Sequence, residues 1–447
     1  MTQPSLEKLA QDLAQGKTSS EKLVEDCLAR IDETSGEGAT SFVHVARDQA
    51  RASARAMDQL RKAGSAPSPY AGIPVSIKDL FDIQGEQTRA GSIVLKNIAP
   101  AERDAPAVAR LKAAGFVVIG RTNMTEFAFS GIGINPHYGT PKSIYDRKLA
   151  RVPGGSSSGA AISITDGMAH GALGTDTGGS CRIPAAFNAI VGFKPTAQRV
   201  PTDGAFPLST TLDSIGPLAR SVACCAILDG ALSGGAMKAP LPRDPKGLRI
   251  AVPKTFVLND LDKDVSAAFS ASLKKLADAG AIISEIACPE IDQIPAANAK
   301  GGFAAPESLA SHKDFIAKYA DLYDKRVLVR IQRGHEQSAQ DYIELMRLRA
   351  QIIRDFETRM ENYDCLAYPT VPMIAPPISA FAEDADFTRL NMLALRNPAV
   401  MNFLDGCAIS VPMTRLPHAP TGLMLSCPHG QDAKLFALAA GIEALLS

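Results

Sequence analysis

Apolar positions along this chain recur in two periods, and the pattern switches repeatedly between helical and extended. Leu23, Val24, Cys27 and Ile31 stand at helical spacing, and Thr18 with Glu21 has the form of a capping box that would open this helix. A second helix is expected from Arg47 to Ala63. Ile73 to Ile77 is a short apolar run beside Gly72 and Pro74, which predicts a buried strand ending near Lys78. Asp104 is placed to cap a helix running through Val108 and Leu111 to Ala114, with Gly115 as its stop. Phe116-Val117-Val118-Ile119 then predicts a strand buried on both faces.

The alternation continues downstream. Leu248 to Pro253 predicts a strand, and Asp264 to Ala279 a helix. Gly302 to about Asn362 is the most helical and charged stretch, with Glu344 and Arg347 at pairing distance, and Tyr368-Pro369-Thr370-Val371-Pro372 breaks it. Ser156 to Thr196 is rich in Gly, Ala and Ser, so backbones can approach closely there. Gly234 to Gly247 is a linker-like stretch, read as a surface connection within one architecture. No internal repeat or low-complexity tract interrupts the order. These elements predict an α/β fold with a central mixed β-sheet flanked by helices on both faces, residues 1–447 forming a single domain.

Composition narrows the function classes. Lys+Arg and Asp+Glu both number 47, so no basic excess points to nucleic acid or a membrane surface as partner. Met1-Thr2-Gln3-Pro4-Ser5 lacks the basic start and apolar core of a signal peptide, and no apolar run approaches the roughly 18 residues of a membrane span. The eight cysteines are scattered without a CxxC pair, which predicts reduced, buried thiols in a cytoplasmic protein and no zinc site. The seven histidines show no HExxH spacing.

The candidate chemistry lies in two serine-bearing glycine knots and one upstream lysine. Thr177-Gly178-Gly179-Ser180 offers successive backbone N–H groups that can curl around one oxygen, as a tetrahedral oxyanion requires; alone, such a run is usually a tight turn. Gly154-Gly155-Ser156-Ser157-Ser158-Gly159 could bring a second hydroxyl to Ser180, or form a flexible loop; it lacks the Gly-Lys-Ser/Thr ending of a phosphate loop. Lys78, at the end of an apolar strand, would lose solvation and with it part of its proton affinity. A fall of roughly three pH units from about 10.4, as a base near pH 7 needs, corresponds to about 4 kcal/mol. The bland alternative is a surface lysine reaching out from a strand end.

Gly72 to Thr196 resembles the amidase signature family. The likeness rests on the glycine knot at 154–159, Leu173-Gly174-Thr175-Asp176-Thr177-Gly178-Gly179-Ser180, Arg182-Ile183-Pro184-Ala185-Ala186 and Gly192-Phe193-Lys194-Pro195-Thr196. Ser5 to Ile31, Arg121 to Phe127, Leu212 to Arg220 and Ala408 to Pro412 are also similar, so the resemblance spans nearly the whole chain. It implies a catalytic Ser–cisSer–Lys triad with Ser180 as nucleophile, Ser156 after a cis peptide bond as relay, and Lys78 as base. It implies an oxyanion hole from the amides of Thr177, Gly178, Gly179 and Ser180, and a substrate-binding wall at Ala128, Phe129, Ser130 and Gly131. No cofactor, metal or organic, is implied. Ser158-Gly159-Ala160 and Cys181 depart from the family's usual residues without removing a triad atom.

The implied reaction is hydrolysis of a small or aryl carboxamide, with carbamates and esters open to the same acyl chemistry. Phe127, Phe129 and Tyr138 are candidates for an aromatic pocket, and no arginine clamp for a substrate carboxylate stands out. The family also includes the amidase subunit of tRNA-dependent amidotransferases, where a partner subunit can hold the tRNA. A rival within the chain is G-x-S-x-G at 155–159, which would make Ser157 the nucleophile with His418 or His429 in its triad, but leaves Lys78 and the second knot without roles. Oligomeric state is left open, a homodimer included.

Overall fold

Eleven strands join in one mixed sheet. The strands are β1 (Phe42–Val45), β2 (Pro74–Lys78), β3 (Val117–Thr122), β4 (Gly171–Asp176), β5 (Val191–Lys194) and β6 (Ser214–Ala219), followed by β7 (Arg249–Pro253), β8 (Ile282–Ile286), β9 (Cys365–Pro369), β10 (Cys407–Thr414) and β11 (Thr421–Cys427). Their spatial order is β1-β3-β2-β4-β6-β5-β10-β11-β9-β7-β8. The computed structural model describes residues 4–447, so Met1-Thr2-Gln3 of the polar start lies outside the described residues.

β2 runs parallel to both β3 and β4, while β4 and β6 are antiparallel. Every residue of β2 and of β4 is buried, as expected for strands covered on both faces. Successive residues point to opposite faces, so Leu173 packs with Ile77, Ile215 and Val222, and Ala172 with Ala160, Ile164 and Leu218 on the other side. Helices 222–233 and 432–446 cover the first face, and helix 158–165 the second. Gly171, Ala172 and Gly174 keep β4 thin enough for that close approach. A Cβ on Gly174 would lie 2.9 Å from Ser157 Oγ and 3.1 Å from Cys181 Sγ.

Several local expectations shift. The first long helix spans Ser20–Ile31, and its cap is Ser19, whose hydroxyl accepts the Lys22 amide; Asp58 takes the amides of Ser20 and Glu21, so Thr18 has no capping role. Asp104 does not cap helix 106–113 but accepts the Gln84 amide and the Lys112 ammonium, and Pro106 opens the helix instead. Glu344 accepts from the Gln340 side chain, and no ion pair to Arg347 forms among the described residues. The helix before Tyr368 already ends at Met360, and Tyr368-Pro369 completes β9. All eight cysteines are free and buried. Among the described residues no helix is long and apolar enough to cross a membrane.

Candidate active site

The parallel pairing of β2 with β4 sets Ile77 beside Leu173, which brings Lys78 alongside the Gly174–Thr175 end of β4. Lys78 is fully enclosed there. Its Nζ donates to Ser156 Oγ at 2.7 Å and to Thr175 Oγ1 at 2.8 Å. Burial lowers its pKa to about 8, while Cys181, Asp176 and Asp213 act in the opposite direction. The fall is smaller than neutral-pH base chemistry would ideally use, because these neighbours favour the ammonium. A minority of molecules therefore carries the free amine at pH 7.

Ser156 sits in the turn that enters helix Ser158–Thr165, and the Gly155–Ser156 peptide bond is cis. The turn is held from outside. The Gly155 amide donates to the Gly131 carbonyl at 2.8 Å, and the Ser156 carbonyl accepts the Thr125 amide at 3.1 Å. The Ser157 amide donates to the Ser180 carbonyl at 3.3 Å, which joins the two glycine knots through their backbones. Among the described residues no hydrogen bond links the Ser156 and Ser180 hydroxyls. Contacts of this kind commonly tighten only with substrate bound.

Asp176, at the end of β4, organises the second knot. Its carboxylate accepts the Gly179 amide at 2.8 Å, the Cys181 amide at 3.1 Å and Asn402 Nδ2 at 2.9 Å. Arg182 reaches it with Nε at 3.0 Å and Nη2 at 2.8 Å, and neither side chain is exposed. Burial alone would raise the Asp176 pKa, but Arg182, Asn402 and Lys194 outweigh it and hold the carboxyl well below the usual range. Of the amides expected to bind an oxyanion, that of Gly179 is therefore occupied by Asp176. Gly179 has a φ of +120° at a position where a Cβ would lie 2.6 Å from Pro398, so only glycine fits this turn. Thr177 is fixed separately by its hydroxyl, which donates to Asp213. Burial pushes the Asp213 carboxyl up to about 6 against that bond and the amides of Ser209 and Leu208.

Ser180 borders a cleft of about 1040 Å³ together with Thr177, Gly178, Ala128, Phe129 and Ser130. The expected wall thus reaches the cleft through Ala128 to Ser130. Gly131 does not; its amide donates to Asn391 Oδ1 at 2.9 Å and its carbonyl holds Gly155. Phe127 and Ala128 both have left-handed backbones, with φ of 50° and 59°, and adjacent strained residues of this kind are typical of ligand-facing turns. Phe127 itself points away, packing on Phe206, His312 and Tyr323. Tyr138 is half-buried elsewhere, with its hydroxyl on the Ser92 carbonyl, so Phe129 is the one member of the proposed aromatic trio that lines the cleft.

The rival arrangement does not assemble. Ser157 is fully enclosed with its hydroxyl on the Thr175 carbonyl, while His418 is exposed and exposed His429 bonds Asp405. Cys181 is buried against the Gly216 carbonyl, and burial raises its thiol pKa far above the reactive range. Ser158 contributes a hydroxyl to the Asn123 carbonyl and Ala160 a core contact, so these departures from family usage affect packing behind the site. Among the described residues no group of three His, Cys, Asp or Glu side chains could hold a metal.

Four participants are not foreshadowed by the sequence. Thr175 stands inside the quoted motif, and its proximity to Lys78 follows only from strand register. Asn402 and Asn391 come from more than 200 residues downstream to brace Asp176 and Ser130. Arg330 lines the cleft, its guanidinium 4.7 Å from the centre of the Phe129 ring. No local pattern around these last residues marks them.

The amidase family model matches residues 22–436. The chain is 36% identical over 407 residues to a 2-amino-5-chloromuconic acid deaminase from Comamonas testosteroni, covering 89% of this chain and 87% of that one. It is 33% identical over 468 residues to a glutamyl-tRNA(Gln) amidotransferase subunit of Anaeromyxobacter sp. (strain K), covering 95% and 92%. A crystal structure described as an amidase superposes with a TM-score of 0.89 at 29% identity, over 99% of this chain and all (100%) of that one.

Proposed function

Because this chain belongs to the amidase family, the amidase signature family that its glycine-knot motifs resemble, we infer that it hydrolyses a small carboxamide through an acyl-enzyme on Ser180. The observation that carries the reading is the fully buried Lys78 ammonium, 2.7 Å from Ser156 Oγ, in a site whose next loop presents Ser180 to the cleft. Neutral Lys78 takes a proton from Ser156 as Ser156 takes one from Ser180. Ser180 Oγ then attacks the carbonyl carbon, and the amides of Thr177, Gly178 and Ser180 receive the oxyanion. Collapse breaks the carbon–nitrogen bond, and the proton returns through Ser156 to the leaving nitrogen. Water, deprotonated by the same relay, releases the acid and regenerates the Ser180 hydroxyl.

Thr175 orients Lys78, and Asp176 holds the nucleophile's loop. Residues 1–447 act as one catalytic domain in this reading, in the cytoplasm, with aryl amides, carbamates and esters as further acyl donors. The test is covalent labelling with a serine-directed fluorophosphonate followed by peptide mapping. Label on Ser180 that is lost in Ser180→Ala and retained in Ser157→Ala is expected. Label on Ser157 would overturn the assignment.

A second reading is that the chain is the amidase component of a tRNA-dependent amidotransferase. The 33% identity across most of both chains to a protein of that name favours it. Co-purification of the natively expressed chain with partner subunits supports this alternative; full turnover by the isolated chain opposes it.

A further inference from the structure

The helix Asp384–Arg396 buries one stripe, Phe387, Leu390, Asn391 and Ala394. Phe387, Leu390 and Ala394 pack in a core cluster with Ile132 and Ile183. Asn391 is the exception. It is 1% exposed, yet it puts a polar carboxamide where packing alone would select an apolar side chain. Half of that carboxamide is accounted for. Its Oδ1 accepts the Ser130 hydroxyl at 3.0 Å and the Gly131 amide at 2.9 Å. A backbone N–H can only donate, so the Gly131 contact fixes which end of the carboxamide is oxygen. Nδ2 then carries two N–H donors. Among the described residues it makes no hydrogen bond, and it is not sealed in the interior. Asn391 lines the cleft, so this free edge opens there.

The surroundings place that edge near the nucleophile. Leu395 stands one helical turn further along the same face and also lines the cleft. Its side chain lies 3.1 Å from where a Cβ on Gly131 would be and 3.5 Å from where one on Gly178 would be. The helix therefore touches both the wall at 128–131 and the loop that carries Ser180. Ser130 adds no competing donor, because its proton is spent on Asn391 and its oxygen accepts the Ile132 amide at 3.1 Å. Ala128, Phe129, Phe387 and Leu395 make the rest of this corner apolar. An unpaired donor in such a corner is costly when empty and selective when filled, and what fills it is an acceptor oxygen. The donor is uncharged, so a neutral oxygen satisfies it without a counter-ion.

We propose that Asn391 is a specificity-determining residue, donating from Nδ2 to a neutral ether or carbonyl oxygen on the acyl chain of the substrate. This rests on the hydrolase reading of the same site. The substrate class is then an amide whose acyl chain is apolar apart from one acceptor oxygen, rather than a purely hydrocarbon chain. No covalent change occurs at Asn391.

The experiment moves one oxygen along a fixed chain. Hexanamide is compared with 2-propoxyacetamide, 3-ethoxypropanamide and 4-methoxybutanamide, which replace one methylene by oxygen at successive positions. Wild type is expected to favour one of the three over hexanamide in kcat/KM by roughly 3- to 10-fold. Asn391→Asp keeps an acceptor for Ser130 and Gly131 and replaces the donor, so the ratio should fall to one or below, whatever the variant loses in overall rate. Ser130→Ala disturbs the same wall but spares Nδ2, so its ratio should stay as in wild type. A wild-type ratio near one at all three positions, or a ratio unchanged in Asn391→Asp, overturns the proposal; the wild-type ratio decides even where a variant does not fold. Saturation-transfer NMR on Ser180→Ala reads the contact without catalysis. The favoured oxygen-bearing amide should bind better than hexanamide there, and the preference should vanish when Asn391→Asp is added. Equal binding of the two amides to Ser180→Ala counts against the donor even if amides are hydrolysed. A binding preference that requires Asn391, together with no fluorophosphonate label on Ser180, keeps the donor and overturns the hydrolase reading alone.

Discussion

Asp176 and Arg182 form a fully enclosed ion pair at 2.8 Å, and the same carboxylate accepts the amides that flank Ser180 in sequence, those of Gly179 and Cys181. The loop that offers Ser180 to the cleft is thus shaped around one buried charge. Asp176→Asn leaves Arg182 without its counter-ion. A loss of about 3–5 kcal/mol in unfolding free energy is expected, read by urea denaturation. Fluorophosphonate labelling of Ser180 should slow in the folded fraction as well. Unchanged stability would show that the pair is dispensable.

The reading of Lys78 as base sets the direction of the pH profile. Only the neutral amine accepts a proton, and the lysine pKa is pushed down to about 8 by burial. The acylation rate should therefore rise from pH 6, reach half its plateau near pH 8 and flatten above it. Lys78→Ala should abolish both the rate and the inflection. Pre-steady-state acylation across this range is the measurement.

The same residue has a stability signature. In the unfolded chain Lys78 keeps its proton to about pH 10.5; in the folded protein it holds it only to about 8. The unfolded state binds more protons between those values, so this residue's contribution to stability rises with pH across that window. Below pH 8 the buried ammonium destabilises the fold by on the order of 3 kcal/mol relative to high pH. Lys78→Met removes the penalty. The stability difference between variant and wild type should therefore move in the variant's favour as pH falls from about 10.5 to 8. Paired urea midpoints at pH 7 and pH 10 check this, and a difference independent of pH would refute it.

Thr175 receives the second hydrogen bond of Lys78, at 2.8 Å. Thr175→Val removes an acceptor that favours the charged amine. The inflection of the acylation profile should move to lower pH, while the plateau falls by roughly tenfold as Lys78 loses its orientation. A profile that keeps its midpoint would assign Thr175 to packing alone.

Cys181 stands next to the expected nucleophile, yet it is buried and its thiol is held in the protonated form. Iodoacetamide should leave native protein unmodified at Cys181, and Cys181→Ala should acylate within about threefold of wild type. Rapid alkylation with parallel inactivation would place the thiol in the reaction.

The local sequence determined more of the site than of its surroundings. The run at 73–77 and the small residues from Gly171 to Gly174 are fully covered strands because they are apolar apart from Ser76, whose hydroxyl is paired with that of Ser163. The glycine knots marked Ser156 and Ser180 as candidates, and their expected roles came from the family resemblance; the backbone around them is held from outside the knots, by Gly131, Thr125 and Asp176. Helix caps were legible less well: Asp58, distant in sequence, takes the amides of Ser20 and Glu21 at the helix start that Thr18 was expected to cap. Tertiary structure alone decided that Lys78 meets Thr175, that Gly179 turns its amide to Asp176, and that Phe127 faces the core while Phe129 faces the cleft. It also placed Asn391, Asn402 and Arg330 at the site from segments with no shared motif. Propensity and periodicity act over a few residues, whereas these contacts depend on sheet register and helix docking across hundreds.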